Sequence, residues 1–485
     1  MRSRFLILLI LLPAFLCSVT PARAQIPGQP APPPAERSAP PPRPTAPASI
    51  GPFLGGVPSG AATREPLQLS ISDALNRALT NNLGVLLAEE GIDQARGARW
   101  RALSDLKPNI NGHITEARQV VNLAAFGFPL PAGIPSIVGP FNTFDARVSL
   151  SQAVVDFKAL NDSRAETHNL AAAQHDYRSA RDLVVLVATV SYAQALASSA
   201  RVDAAQAQVE TAQALFSQAT DLKQNGIVAG IDVLRAEVQL GNERQRVTAA
   251  RNELEKAKLQ LARLIGLPLG QPFTLTTELA PVAIPEMTLE EAIERAYRTR
   301  PDYLAALERV KAAEASRQAA IGETLPSVRV NANYGDLGLS VADSHYTYTV
   351  AGTVDIPIFQ GGRAKGRKLE AETDLRRRRT EADDLKGAIY YEVRTAMLDL
   401  QTGTEQLEVA TRGRMLAASE LTQARDRFAA GVAGNIEVVQ AQAAVTLADD
   451  QYISALFTTS LAKGSLVRAV GIAEETAREI FGGLR

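Results

Sequence analysis

Cysteine is almost missing from this chain: its 485 residues hold one, Cys17. That cysteine stands in a stretch running from Met1-Arg2-Ser3-Arg4 through the apolar residues 5–16 to Ala22-Arg23-Ala24. Charged, apolar and small-residue regions in this order make a secretory signal peptide over 1–24, with cleavage expected before Gln25. Ala14-Phe15-Leu16 lacks the small residue that lipid attachment needs just ahead of Cys17. The mature chain is therefore expected to have no disulfide and no thiol chemistry. Aromatic residues are also scarce, 5% against 46% hydrophobic, so the apolar fraction is mostly Ala, Leu and Val. Such a composition suits long, closely packed helices better than an aromatic-rich globular core. Beyond the signal, no stretch is expected to approach the roughly 20 apolar residues of a membrane-spanning helix. If this exported chain spans a membrane, it must use strands.

Catalytic constellations are missing too. No Ser/His/Asp set, nucleotide loop or HExxH occurs, so no enzyme activity and no cofactor are expected. His168 and His175 share a helix face but lie about 10 Å apart with no third ligand nearby, which argues against a metal site. Four methionines and no mature cysteine give copper little to bind. Losing Arg2, Arg4 and Arg23 takes the formal charge from −1 to −4, and a mildly acidic chain has no electrostatic footprint for nucleic acid. Arg376-Arg377-Arg378-Arg379 is surrounded by Glu370, Glu372, Asp374, Glu381, Asp383 and Asp384 and reads as a solvated helix face.

What the chain does have is a turn that occurs twice. Gly226-Ile227-Val228-Ala229-Gly230 returns 205 residues later as Gly431-Val432-Ala433-Gly434-Asn435, each time between two long stretches of helical character. Glycine ends the incoming helix because it takes positive φ cheaply, and Asp232 or Glu437 falls in the first turn of the outgoing one. Each copy is the tip of a helical hairpin, and the duplication is architectural. The two acids carry two compatible readings. One is favourable placement at a helix N-terminus; the other is a ring of carboxylates at a narrow tip that attracts cations and raises its own pKa by mutual repulsion.

In chain order, 25–66 is a proline-rich lead-in, with thirteen of the 27 prolines after Ile26, expected to be extended and disordered, as a spacer or a plain linker. A first repeat over 67–270 opens with a helix over 72–104, Ser72 being its N-cap. Its echo over 288–323, in the second repeat 288–472, restarts at Pro301. After Pro108 and Pro326 the period changes from helix to strand. Val328, Val330, Ala332 and Tyr334 alternate with Arg329, Asn331 and Asn333, and Tyr346, Tyr348, Val350 and Val354 with Thr347, Thr349, Thr353 and Asp355. That makes a strand pair at about 327–356. A less regular pair occupies about 109–152, with a Pro- and Gly-rich loop expected over 121–141. Strands of about 10 residues tilted about 40° span about 25 Å, the apolar height of an outer-membrane barrel; a soluble sandwich uses the same alternation. Four strands cannot close a channel and would need partners from other subunits. Helices over 161–224 and 366–430 reach about 90 Å, and Ala205, Ala212 and Ala219 repeat at seven, as in closely packed helices. The return helices, over 232–265 and 437–470, are shorter, and the helices over 72–104 and 288–323 are expected to stack end to end on them. A connector, 271–287, joins the halves, and 473–485 is a tail.

Several of these features together resemble the TolC-like outer-membrane efflux proteins over 69–472. They are the twofold repeat, Ala74-Leu75 through Asn82, Pro108 and Pro326, Val354-Asp355-Ile356-Pro357-Ile358-Phe359-Gln360-Gly361-Gly362-Arg363, and the two tips. The resemblance implies a mainly α fold with a small β part. Long hairpins of a homotrimer form an α-helical barrel across the periplasm, continued by a twelve-stranded β-barrel, four strands per protomer, in outer-membrane lipid. It implies a passive exit duct of a tripartite efflux or type I secretion system in a Gram-negative-type bacterium. Its partners would be a periplasmic adaptor and, through it, an inner-membrane transporter. The adaptor would dock on Gly226, Ile227, Val228, Gly431, Val432 and Ala433. Glu437 matches an acidic constriction position; Gln440 stands where a second acid can occur, Ala433 where an arginine can latch the tip, and Phe428 where a tyrosine is common. Those departures imply a weaker cation block and a looser latch. The contrasting reading is an exported coiled-coil scaffold without channel activity.

Overall fold

The computed structural model describes residues 51–127, 135–277 and 287–473. The signal peptide, the lead-in before Gly51, Pro281 and Pro285 of the connector, 128–134 of the first strand loop and the tail after Ala473 lie outside them.

Helix punctuation sets the architecture. Ser70, not Ser72, caps α1 (Ile71–Asn81): its side chain accepts from Asp73 N–H while Asp73 reaches back to the Ser70 backbone, a reciprocal capping box. The expected single helix over 72–104 is two, because Asn82 turns extended and caps α2 (Leu83–Ser104) by accepting from Gly84 N–H. In the second repeat Thr288 and Glu291 form the same box on α5 (Leu289–Thr299), and Pro301 opens α6 (Pro301–Gly322). The long helices are α3 (Phe157–Gln224) and α7 (Arg363–Ala429), of 68 and 67 residues, or about 100 Å each. They return through α4 (Gly230–Leu264) and α8 (Asn435–Val470).

The end-to-end stacking is held by side chains at the two breaks. Asn82 Nδ2 donates to Leu264 O at the end of α4, and Thr299 Oγ1 donates to Val470 O at the end of α8. Fully buried Asn82 and nearly buried Arg300 occupy equivalent places in the two repeats. The end of the proline-rich stretch is ordered here, contrary to the expectation for 51–66. Asn82 Nδ2 also donates to Phe53 O, Val57 N–H to Asn81 O and Ser59 N–H to Gly266 O, so this segment straps the first break. The expected outside connector also contributes to the core, since β4 (Phe273–Leu275) pairs in parallel with β1 (Leu67–Leu69) and buries Phe273.

One 18-residue window of α3 is apolar enough to cross a bilayer by composition, which the sequence reading did not expect. Half of that window is buried, and Val184, Val185, Ala188 and Tyr192 belong to the core shared with α1, α4, β1 and β4. Tyr192 is inaccessible and donates from its hydroxyl to Leu69 O at 2.8 Å. Ala205, Ala212 and Ala219 are buried as their spacing predicts.

Strands β2 (Asn109–Asn122), β3 (Ile137–Val155), β5 (Ser327–Gly338) and β6 (Ser344–Asp355) form one antiparallel sheet in the order β2-β3-β5-β6. The first pair is longer than expected: β2 runs on to Asn122 and β3 begins at Ile137, so both extend into the region read as loop. Helix neighbours follow the same order. Beside the sheet the sequence is α2-α3-α6-α7, and towards the turns it is α4-α3-α8-α7.

Candidate functional site

Both turns are Schellman endings. Gly226 N–H donates to Lys223 O and Ile227 N–H to Leu222 O; Gly431 N–H donates to Phe428 O and Val432 N–H to Arg427 O. Gly226 and Gly431 each have φ +71°, the left-handed value that only glycine adopts without strain. Gly431→Ala is expected to destabilise the turn by about 1–2 kcal/mol, read as faster amide exchange over 425–437 with unchanged exchange in the core around Tyr192.

The fold brings the two turns to one end and ties them together. Asn435 is buried, and its Nδ2 donates to Asp232 O at 3.0 Å. Further along, inaccessible Gln442 donates to Gln208 O at 3.2 Å, joining α8 to α3. Neither amide was singled out from sequence. The available signal at Asn435 was a departure inside the repeat, since Gly230 stands at the equivalent position. Asn435→Ala is expected to cost about 1–2 kcal/mol locally through the lost buried hydrogen bond, read as joint loosening of both turns by hydrogen exchange.

Each predicted acid faces an arginine of its own hairpin. Glu437 lies 3.0 Å from Arg427 Nε, and Asp232 lies 3.4 Å from Arg235. Sequence reasoning missed these partners. Arg427 precedes Glu437 by ten residues and meets it only because the turn reverses the chain. Both pairs are solvent-accessible, so each contributes at most about 1 kcal/mol; their consequence is local charge.

Gln440 is exposed, Ala433 half-buried, and Ile227 and Val432 exposed. Half-buried Val228 packs instead against the second hairpin, in a cluster with Leu421, Phe428, Val438 and Ala441. Phe428 is 3% exposed in that cluster. The cluster draws on both hairpins, since Leu215, Leu222 and Val228 of the first pack with Phe428 of the second.

The sheet has two unlike faces, legible from its register. Ile110, Leu150, Ala332 and Val350 form one row across all four strands, and Gly112, Val148, Tyr334 and Tyr348 the next. On the opposite face Asn111, Ser149, Asn333 and Thr349 make a row, beside His113, Arg147, Gly335 and Thr347. Among the described residues no helix covers the apolar face: Ile110, Ile114, Tyr348 and Val350 are all more than 60% exposed. Among the described residues, no group of three or more His, Cys, Asp or Glu side chains is placed to hold a metal ion.

An uncovered apolar sheet face, a polar face behind it and helices about 100 Å long below define an outer-membrane protein with a periplasmic extension. Comparison with known proteins agrees. The model of the outer membrane efflux protein family matches residues 74–267 and 292–471, and the chain belongs to that family. It is 24% identical over 340 residues to the pyoverdine export outer membrane protein OpmQ of Pseudomonas putida, covering 68% of this chain and 70% of that protein. It is 21% identical over 411 residues to the probable outer membrane lipoprotein SilC of Salmonella typhimurium, covering 83% and 85%. The fold matches the Campylobacter jejuni CmeC outer membrane channel with a TM-score of 0.71 at 19% identity, over 91% of this chain and 98% of that one. It matches the Neisseria gonorrhoeae MtrE outer membrane channel, crystallised in an open state, with a TM-score of 0.71 at 16% identity, over 86% and 94%. Membership of an efflux family sets aside the scaffold reading.

Proposed function

We propose that three copies of this chain close into one tube, a passive exit duct through which a pump and adaptor in the inner membrane and periplasm expel substrates. The observation that carries this reading is that both layers end in free edges in the same order. Strand β2 with α2 and α4 marks one edge, and β6 with α7 marks the other. An unpaired strand edge is a template for another strand, and joining unlike edges gives a head-to-tail contact that closes into a ring. The helical edges supply apolar surface for the same contact: Tyr391, Leu398, Val409 and Leu416 are exposed on α7, and Leu87, Val238 and Leu259 on α2 and α4. Copy number follows from width. Two copies give eight strands, whose interior side chains fill, whereas three give twelve and leave a lumen.

In such a ring the Asn111 and His113 rows line the bore and the Ile110 and Gly112 rows meet lipid. The duct performs no chemistry; its polar wall lets cargo pass, and selection rests with the pump. Export of pyoverdine, named for OpmQ, illustrates a small-molecule cargo of the same general kind. Exposed Ile227 and Val432 at the tips give an adaptor apolar contacts, with Gly226, Val228, Gly431 and Ala433 shaping the turns.

The test is conductance of the detergent-extracted protein across a planar bilayer, with its mass measured first. A trimer with discrete cation-preferring channels is expected; a monomer with no conductance rejects the duct. Within that assay Glu437→Ala is expected to raise conductance and weaken block by multivalent cations. Arg427→Ala, which frees the Glu437 carboxylate, is expected to strengthen that block. Unchanged block in both variants removes Glu437 from the constriction.

A further inference from the structure

The two free edges carry complementary features just below the sheet. After Asp355 the chain leaves β6 through Ile356-Pro357-Ile358-Phe359-Gln360. Ile358 and Phe359 are 94% and 89% exposed. These side chains are presented on an anchored segment: Gln360 Nε2 donates to Glu323 O, and Arg363 and Arg367 both pair with the Glu323 carboxylate. Gly361 and Gly362, at φ +58° and +91°, then turn the chain into α7.

On the other edge, Trp100, Leu103 and Ser104 form one stripe of α2 at i, i+3 and i+4. With Lys107, Pro108 and Asn109 they line a groove of about 380 Å³. Trp100 is 65% exposed, an unusual state for the largest apolar side chain in a protein this poor in aromatics.

Geometry brings the two features together. In the closed ring proposed above, on which this inference rests, the free edge of β6 continues the antiparallel ladder onto β2 of the next copy. Strand β6 ends at Asp355 where β2 begins at Asn109, so the residues following Asp355 lie beside those preceding Asn109. We propose that Ile358 and Phe359 of one copy fill the Trp100 groove of the next, a plug and socket that seals the seam beneath each strand joint. Lipid is the competing occupant, because tryptophan also favours membrane interfaces. The second copy is favoured by three coincidences: the plug sits at one free edge, the socket sits at the other, and both lie at the level where the strands meet.

Trp100 is the protein's one tryptophan, so intrinsic emission reads the socket alone. The full mature protein is reconstituted in phosphatidylethanolamine/phosphatidylglycerol vesicles and its mass determined. The expected result is blue-shifted emission, little quenching by brominated acyl chains, and a red shift in Phe359→Ser at unchanged mass. A second measurement covers a variant that fails to assemble: Phe359→Cys combined with Leu103→Cys is expected to give an inter-subunit disulfide in native membranes, and neither single variant should. Emission unmoved by Phe359→Ser in an assembled trimer, strong bromolipid quenching, or a double-cysteine trimer that does not cross-link overturns the plug while leaving the ring intact. A monomeric mass for the unmodified protein overturns the ring, and the plug with it.

Discussion

Val350→Arg is expected to remove the protein from the outer membrane, whereas Thr349→Arg, one residue away, leaves it inserted. Register decides the difference. Val350 stands in the row with Ile110, Leu150 and Ala332, and Thr349 in the row with Asn111, Ser149 and Asn333. Both sit midway along β6, where a lipid-facing arginine costs about 2–4 kcal/mol. In the proposed ring of three copies that cost is met three times. On the other face of the sheet, the guanidinium would meet water in the bore of the proposed ring. Thr349→Arg should therefore fractionate normally and weaken the cation preference expected of the proposed duct. The measurement is membrane fractionation and urea extraction of both variants, followed by reversal potentials for whichever inserts. Equal insertion of the two would mean that the faces are not divided between lipid and water. Selective loss of Thr349→Arg would mean that they are inverted.

Legibility in the sequence varied with the range of the interaction. The turns were readable because a positive-φ glycine and an acidic first turn act within a few residues, and two copies repeated the pattern. The alanine ladder at Ala205, Ala212 and Ala219 was readable because seven-residue spacing is itself the packing rule. The first-repeat helix break was not. In the second repeat Pro301 announces it covalently, but in the first Asn82 makes it through hydrogen bonds to Phe53, Gly84 and Leu264, two of them distant in sequence. Ser70 lost to Ser72 as the cap because both serines precede the apolar stripe, and the choice rests on Asp73 reaching back. The strap over 51–66 was hidden by its prolines, which satisfy a disorder pattern while Phe53 and Val57 dock. The burial of Phe428 was not legible, because a position matched by resemblance does not say which way the ring points.

The junction at the second break should be the most fragile polar point of the protein. Arg300 is 3% exposed and donates to Asp302, Glu392 and Ala469 O, where the first repeat uses uncharged Asn82. A buried guanidinium between two carboxylates is stable only while the set is complete. Burial pushes the Asp302 carboxyl up, and the hydrogen bond and charge of Arg300 outweigh it, so its pKa lies below the ordinary value. Folding therefore gains stability from Asp302 above its unfolded pKa of about 3.9, and that gain is lost as pH falls through the lower folded value. Arg300→Met, which keeps the length and removes the charge, is expected to cost about 3 kcal/mol, the low end for a broken buried pair because Glu392 is partly exposed. Asp302→Asn should cost less and should flatten the stability profile below about pH 4, where the unmodified protein loses this contribution. Urea midpoints of the assembled protein at neutral pH and near pH 3 check both variants. A neutral-pH midpoint for Arg300→Met equal to that of the unmodified protein would show that the α5–α6 break is held by Thr299 and packing alone. The charged set would then be a tolerated substitute for the asparagine of the first repeat.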